Sequence, residues 1–319
     1  MKLVINIPCY NEEKTLPLVL KDIPKKIKGI SKIEVQIVDD GSTDKTVEVA
    51  KKYGVKRIIR HKQNMGLGVA FRTGIHNALK NGADIIVNID GDGQFNSRDI
   101  PKLIQPILNQ ECDVTTVSRF LKESKVNNMP FLKKIGNFLF TTLINCLTGE
   151  KFTDTQCGFR AYSRDAAMHL NLKGDFTYTQ EAFLNLLEDG MHIKEVASEI
   201  NYYKNRKSFI SGNLINYGLN ALNIIIKTIR DLRPLKFFGI PGIFILSLGG
   251  LGGLYCLIYY LTHFMTSKIR QLFNVSVFFM IFGISLIILA LLADMLRRIN
   301  RTQDEILYRL KLNEYKKDK

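Results

Sequence analysis

Residues 84–94 read Asp84-Ile85-Ile86-Val87-Asn88-Ile89-Asp90-Gly91-Asp92-Gly93-Gln94. The run is nearly all apolar and β-branched up to Ile89, as a strand buried on both faces of a parallel α/β sheet reads. It stops at two acids two residues apart, each followed by glycine. Alternate residues of an extended segment point the same way, so both carboxylates can face one cation. The glycines let the backbone come close to a bulky ligand. Upstream the same unit recurs. Leu3–Ile7, Glu34–Asp39 and Val55–Arg60 read as strands, and Glu12–Ile23, Thr43–Tyr53 and Gly68–Asn81 as helices, the second capped by Ser42 or Thr43. Alternating units of this kind predict an open α/β sheet with flanking helices and ligands at the carboxyl ends of its strands.

Those ends carry the unusual residues. The first strand runs into Pro8-Cys9-Tyr10-Asn11-Glu12-Glu13 and the second into Asp39-Asp40-Gly41-Ser42-Thr43-Asp44. Helix capping accounts for one acid per turn; three acidic turns at one sheet edge indicate a single site. Asp90, Asp92 and the Gln94 amide oxygen make a hard oxygen donor set suited to Mg²⁺ or Mn²⁺, with ligand phosphates completing the shell. Gly66-Leu67-Gly68 is not a dinucleotide fingerprint. Phe71 stands where the third glycine belongs, and the loop is the third connection rather than the first.

The C-terminal third changes character. Residues 237–262 and 271–293 contain no Asp, Glu, Lys or Arg, and each exceeds the roughly 20 residues that a spanning helix needs. Two transmembrane helices joined by the short loop 263–270 are expected. Lys227, Arg230, Arg233 and Lys236 precede the first, while Arg297, Arg298 and Arg301 follow the second, and the loop holds only Lys268 and Arg270. The positive-inside bias then predicts both termini in the cytoplasm of a two-span membrane protein. Residues 1–212 are read as the cytoplasmic catalytic domain, 213–236 as an amphipathic helix at the membrane surface, and 294–319 as a cytoplasmic helical tail. An apolar stripe on that tail could pair subunits into a homo-oligomer or pack back on the domain. The net charge of +15 comes with no nucleic-acid motif, and its clustering beside the spans suits anionic lipid instead. Five cysteines without metal-ligand spacing imply a reducing compartment.

Taken together, Ile7–Glu13, Val38–Asp44, Asn64–Gly68, Asp90–Gln94 and Asp154-Thr155-Gln156-Cys157-Gly158-Phe159-Arg160 occur in an order that resembles the family-2 glycosyltransferases of GT-A fold. The likeness is nearest to the branch that makes polyprenyl-phosphate sugars, and it covers roughly residues 1–212. The resemblance implies a nucleotide-sugar pocket at Pro8, Tyr10, Asn11, Glu12, Asp39, Asp40, Gly68, Asp90 and Gly91. It implies a divalent cation on Asp90, Asp92 and Gln94, and an arginine near the reacting phosphates at Arg119. Segment 154–160 is expected beneath the donor sugar, with Arg160 holding acid partners. Glu181 matches the general base of many inverting relatives, which a hydroxyl acceptor needs and an anionic lipid phosphate does not. Arg206 and Lys207, with Lys133 or Lys134, are the expected grip on an acceptor phosphate, although the family's Arg-x-x-Gly-x-Ser-Lys pattern is displaced here.

The implied activity is inverting transfer from a GDP- or UDP-sugar to a dolichyl or undecaprenyl phosphate. The alternatives are non-processive extension of a lipid-linked oligosaccharide and a non-catalytic nucleotide-sugar-binding module. A polymer-extruding synthase is disfavoured, because the chain has no tryptophan for the Gln-x-x-Arg-Trp segment of those enzymes.

Overall fold

The computed structural model describes residues 1–172, 178–202, 226–227, 229–265 and 267–315. Strand β1 (Lys2–Cys9) is buried from Leu3 to Cys9 and forms the middle of the sheet. It pairs in parallel with β2 (Lys32–Asp39) and β4 (Ile85–Asn88), and β2 pairs in parallel with β3 (Arg57–Arg60). Helices α1 (Leu16–Lys21), α2 (Thr46–Lys52) and α3 (Leu67–Lys80) connect them. The period of two sorts the core into two layers. Leu3, Ile5 and Ile7 pack on one face with Ile37, Val87 and Phe159. Val4 packs on the other with Phe71, Ile86 and Tyr162.

Beyond β4 the sheet continues through β7 (Arg160–Ser163), β5 (Val114–Ser118) and β8 (Ile193–Ala197), in the order β3-β2-β1-β4-β7-β5-β8. Strand β7 runs antiparallel to both β4 and β5, so the parallel reading gives way there. The reversal has a consequence. Asn88, at the end of β4, pairs with Arg160, at the start of β7, so the segment 154–159 arrives at the edge where β4 leaves. The short strands β6 (Lys125–Asn127) and β9 (Glu199–Asn201) pair separately. Helices α4 (Ile100–Leu108), α5 (Phe131–Thr148), α6 (Arg164–His169) and α7 (Tyr178–Glu188) complete this unit.

Three amides interrupt the apolar strands at one register. Asn6 stands opposite both Gln36 and Asn88, and all three are fully buried. Asn6 Nδ2 donates to Asn88 Oδ1 at 2.8 Å, and Gln36 Nε2 donates to Asn6 Oδ1 at 2.9 Å. The ladder ends on backbone carbonyls: Gln36 Nε2 reaches Gly74 O on α3 at 2.8 Å, and Asn88 Nδ2 reaches Gly158 O at 3.1 Å. A buried amide must be paired, so the ladder fixes the strand register and ties the 154–160 segment to the sheet.

Helix α2 begins later than predicted, at Thr46, and neither Ser42 nor Thr43 caps it. Ser42 Oγ instead accepts from Asn11 N at 2.9 Å, and Asn11 Oδ1 accepts from Thr43 N at 2.9 Å. The groups expected to cap the helix bind the first two turns to each other.

Helices α8 (Pro234–His263) and α9 (Arg270–Glu314) are long and apolar enough to cross a membrane. They pack through small residues. A Cβ on Gly249 would lie 2.8 Å from Ser276 O, and one on Gly283 would lie 2.6 Å from Leu246 N. Membrane helices approach closely at glycines in this way. By internal contacts the chain forms two compact units, one of residues 1–209 with 306–319 and the other of 210–305. The tail therefore continues α9 without a break, and its end belongs to the first unit. Tyr308 stacks on His169 with ring centroids 3.9 Å apart, and Lys311 Nζ donates to Met168 O and Leu170 O. Ile306 and Leu310, members of the expected apolar stripe, stay exposed. The expected helix at 213–236 lies outside the described residues up to 225.

Replacing Asn88 with Leu strips partners from both Asn6 and Gly158 O, and each buried polar group left unpaired costs about 1–3 kcal/mol. Asn88→Leu is expected to lower the thermal midpoint by several degrees in the detergent-solubilised chain. An unchanged midpoint would mean the ladder is not holding the sheet.

Candidate active site

Three connections meet at the carboxyl edge of β1, β2 and β4. The first two turns are knitted by further hydrogen bonds. Glu12 N donates to Thr46 Oγ1 at 2.8 Å, and Glu13 N donates to Asp44 Oδ2 at 3.1 Å. Asn11 takes a left-handed φ of 55° to make this turn, which Asn tolerates better than most residues. Tyr10 is left partly exposed at the rim, whereas Glu12 and Asp39 are buried. Asp39 accepts from Ser42 N at 3.2 Å and pairs with Arg60 Nε at 3.0 Å.

The electrostatics of Cys9 register the convergence. Its thiol is pushed well above the ordinary range, first by burial and then by the negative charges of Glu12, Asp39, Asp90 and Asp44. Carboxylates from three separate connections thus act on one buried atom. A Cβ on Gly91 would lie 2.7 Å from Cys9 Sγ, so only glycine lets the Asp90–Gln94 turn settle on β1. Asp92 Oδ1 accepts from Gln94 N at 3.0 Å, which orients that turn.

Asp40 has a different task. Its oxygens accept from Met65 N at 3.0 Å and Gly66 N at 2.8 Å, and Oδ1 lies 2.7 Å from His61 Nδ1. These bonds shape the loop before α3, where Gly68 sits buried in the first turn. Asp40, expected at the nucleotide-sugar pocket, thus also holds that loop.

The 154–160 segment closes the edge from the other side. A Cβ on Gly158 would lie 2.8 Å from Asp90 Oδ2 and 3.1 Å from Tyr178 Oη, so this segment passes directly against the acidic turn. Tyr178 is fully buried against Phe71, with ring centroids 4.6 Å apart. Burial first and Asp90 second raise its phenol well above the ordinary value. Tyr178 opens α7, so Glu181 stands in the first turn of that helix, half-buried.

Among the described residues, Arg160 is held by carbonyls and a ring rather than by the expected acids. Its guanidinium donates to Thr179 O at 2.7 Å and Thr155 O at 2.9 Å, and it lies 4.5 Å from the Phe183 ring centroid. Carbonyls and an aromatic face compensate the buried cation, which ties the segment to α7. Arg119 does pair with an acid of this segment. Its Nε and Nη2 form a fork on Asp154 at 2.5 and 2.8 Å, and Nη1 donates to Tyr202 Oη at 2.8 Å. Asn137 Nδ2 of α5 adds a bond to Asp154 Oδ1 at 2.8 Å. Arg119, expected near the reacting phosphates, is therefore buried in a network that braces the 154–160 segment. Lys133 Nζ lies 5.2 Å from the Tyr202 ring centroid, and Lys134 is exposed beside it. Arg206 and Lys207 lie outside the described residues.

Among the described residues no group of three or more His, Cys, Asp or Glu side chains could by itself hold a metal ion. Two carboxylates and an amide on one glycine-rich turn nevertheless suit a hard cation whose other ligands are phosphate oxygens and water. Tyr178, Tyr202 and Asn137 were not singled out from the sequence, because each acts through partners that long-range pairing brings together. Polar Asn6, Gln36 and Asn88 inside apolar strands were the local signal.

Residues 4–170 match the profile of the family described as Glycosyl transferase family 2. The UDP-N-acetylglucosamine–dolichyl-phosphate N-acetylglucosaminyltransferase of Methanococcus voltae is 36% identical over 176 residues, covering 50% of this chain and 68% of that protein. The dodecaprenyl-phosphate galacturonate synthase of Rhizobium johnstonii is 28% identical over 315 residues, covering 93% of this chain and 88% of that protein. Among solved structures, glucosyl-3-phosphoglycerate synthase from Mycobacterium tuberculosis in complex with Mn²⁺, uridine diphosphate and glucosyl-3-phosphoglycerate superposes with a TM-score of 0.56 at 20% identity. That match covers 72% of this chain and 78% of that one, and it bears on the fold.

Burial opposes ionisation of Asp154, but the Arg119 fork overcomes it and holds the carboxyl below its ordinary range. A lowered folded-state pKa gives a stabilising contribution that is full above about pH 4 and lost as pH falls through the folded value. Asp154→Asn leaves a buried guanidinium unpaired, at a cost of about 3–5 kcal/mol. Thermal unfolding of that variant between pH 3 and 7 is expected to show a lower midpoint and a flatter acid limb than wild type. Parallel curves would contradict the pair.

Proposed function

The chain belongs to glycosyl transferase family 2, and we propose that it moves a sugar from a nucleoside-diphosphate donor to a polyprenyl phosphate, inverting the anomeric carbon. The observation that carries the reading is the acidic edge around Cys9 in a chain with two span-length helices. The likeness to the dodecaprenyl-phosphate galacturonate synthase, which runs over 93% of this chain, supports a lipid phosphate as acceptor.

The chain's own groups divide the work as follows. Tyr10 offers a half-exposed ring at the rim for a base, and Pro8, Asn11, Glu12 and Asp39 line the pocket for the nucleoside, with carboxylates to accept from ribose or base. Gly91 keeps the backbone low, so that a diphosphate can lie over Asp90 and Asp92. Those two carboxylates, with Gln94, would hold Mg²⁺ or Mn²⁺, which when bound neutralises charge developing on the leaving diphosphate. The ladder and the Arg119–Asp154 pair hold the 154–160 segment beneath the donor sugar. A lipid phosphate is already anionic at neutral pH, so its oxygen attacks without a strong base. Positioning then falls to cations, and Lys134, Arg206 and Lys207 are assigned to the acceptor phosphate. Glu181 would serve as base only for a hydroxyl acceptor.

The cations flanking α8 and α9 support a sidedness with both termini and the catalytic unit in the cytoplasm. The two spans would keep the site at the membrane that holds its acceptor. Run with UDP- and GDP-sugars in turn, a transfer assay separates uracil from guanine as the donor base.

Full chain in lipid nanodiscs, supplied with labelled UDP- or GDP-sugar, Mn²⁺ and a short polyprenyl phosphate, is expected to move label into the lipid phase without any primer glycan. Asp92→Ala should lower that rate by about 10²–10³-fold, the scale of losing a charge-stabilising group. Glu181→Gln should stay within about tenfold of wild type, whereas loss of a general base costs about 10²–10⁴-fold. Label appearing only on a glycan-bearing lipid, or normal turnover by Asp92→Ala, would overturn the assignment.

A further inference from the structure

Helix α5 carries apolar side chains on both of its sides. Its inner side mixes buried Phe140 and Ile144 with polar groups: Asn137 is fully buried and bonds Asp154, Thr141 Oγ1 lies 3.1 Å from Thr155 Oγ1, and part-buried Asn145 Nδ2 donates to Phe152 O at 2.8 Å. Its outer side is apolar. Phe131 is 73% exposed and Phe138 70%, with Ile135 and Leu139 exposed between and beside them. A helix packed on a soluble domain turns its apolar stripe inward. Here positions 131, 135, 138 and 139, followed by Thr142 and Cys146, form a stripe that the domain does not cover.

The charges of the helix select the occupant. Residues 131–149 contain no Asp or Glu, and Lys133 and Lys134 stand in the first turn. Exposed aromatic and aliphatic side chains with basic residues at one end are the composition of a helix that lies in a headgroup layer. Anionic lipid attracts a lysine exposed there, as Lys134 is. The same chain carries two helices long and apolar enough to span a bilayer, so that surface is within its reach.

We propose that α5 is a lipid-docking helix, with Phe131, Ile135, Phe138 and Leu139 entering the headgroup–acyl boundary of an anionic membrane surface. Its inner face holds the Asp154 network, so the lipid contact and the segment under Asp90 share one rigid element. The proposal stands on burial and charge and does not depend on which reaction the site performs.

The chain supplies its own probe. Cys146 is the exposed cysteine on this stripe, and the other four are buried. Full chain in nanodiscs containing phosphatidylglycerol, labelled at Cys146 with an environment-sensitive fluorophore, is expected to be quenched by nitroxide-bearing lipid and shielded severalfold from aqueous iodide. The same should hold for a label at Phe138→Cys in a Cys146→Ser background. A control label at exposed Lys56→Cys, in that same background, should show the reverse. Replacing phosphatidylglycerol with phosphatidylcholine should weaken the lipid quenching at Cys146. The proposal is overturned if Cys146 is as open to iodide as the control. Shielding from both quenchers, or Cys146–Cys146 cross-linking between copies, would overturn it too, because either places protein on the stripe instead of lipid.

Discussion

Negative charge concentrated at one sheet edge is the constraint around which the first unit is organised. Glu12, Asp39, Asp44 and Asp90 all act on the buried Cys9 thiol, and like charges at such range repel strongly in a low-dielectric surround. The fold holds them there by spending neighbouring groups on each. Arg60 pairs Asp39, Thr46 bonds Asp44 through its backbone and its hydroxyl, and backbone amides of the adjoining loop saturate Asp40. Asp90 and Asp92, on the glycine-rich turn of this edge, are the groups proposed to hold a divalent cation together with ligand phosphates.

Buried guanidinium groups beside that edge are used for rigidity. Arg119 and Arg160 are both buried, and each braces the 154–160 segment from a different direction, through Asp154 and through backbone carbonyls. With the Asn6–Gln36–Asn88 ladder, they leave the segment little freedom to move against Asp90. Preorganisation of this kind lowers the cost of arranging charge in the transition state.

Much of this was legible in the chain because it depends on local pattern. Apolar runs that end in acidic turns located β1, β2 and β4 and the edge they share, and two uncharged segments located α8 and α9. What local pattern does not carry is pairing between distant strands. The reversed direction of β7 is decided by its neighbours β4 and β5, and with it the delivery of Gly158 to Asp90. The carbonyl partners of Arg160 were missed for the same reason: a side chain's charge is visible in sequence, but the backbone groups that will claim it are not. Helix α5 escaped notice because periodicity shows that an apolar stripe exists without saying which way it faces.

The account rests on the acidic edge being a seat for a divalent cation and a nucleoside diphosphate together. Thermal unfolding of the full chain in detergent, with Mn²⁺, UDP or GDP, and their combinations, tests this most directly, since a ligand bound only by the native state raises the midpoint. The midpoint is predicted to rise by several degrees with Mn²⁺ and one of the nucleotides together, to rise less with either alone, and to lose the joint increment in Asp90→Asn. No joint increment in wild type, or the same increment in Asp90→Asn, would contradict the assignment of the edge.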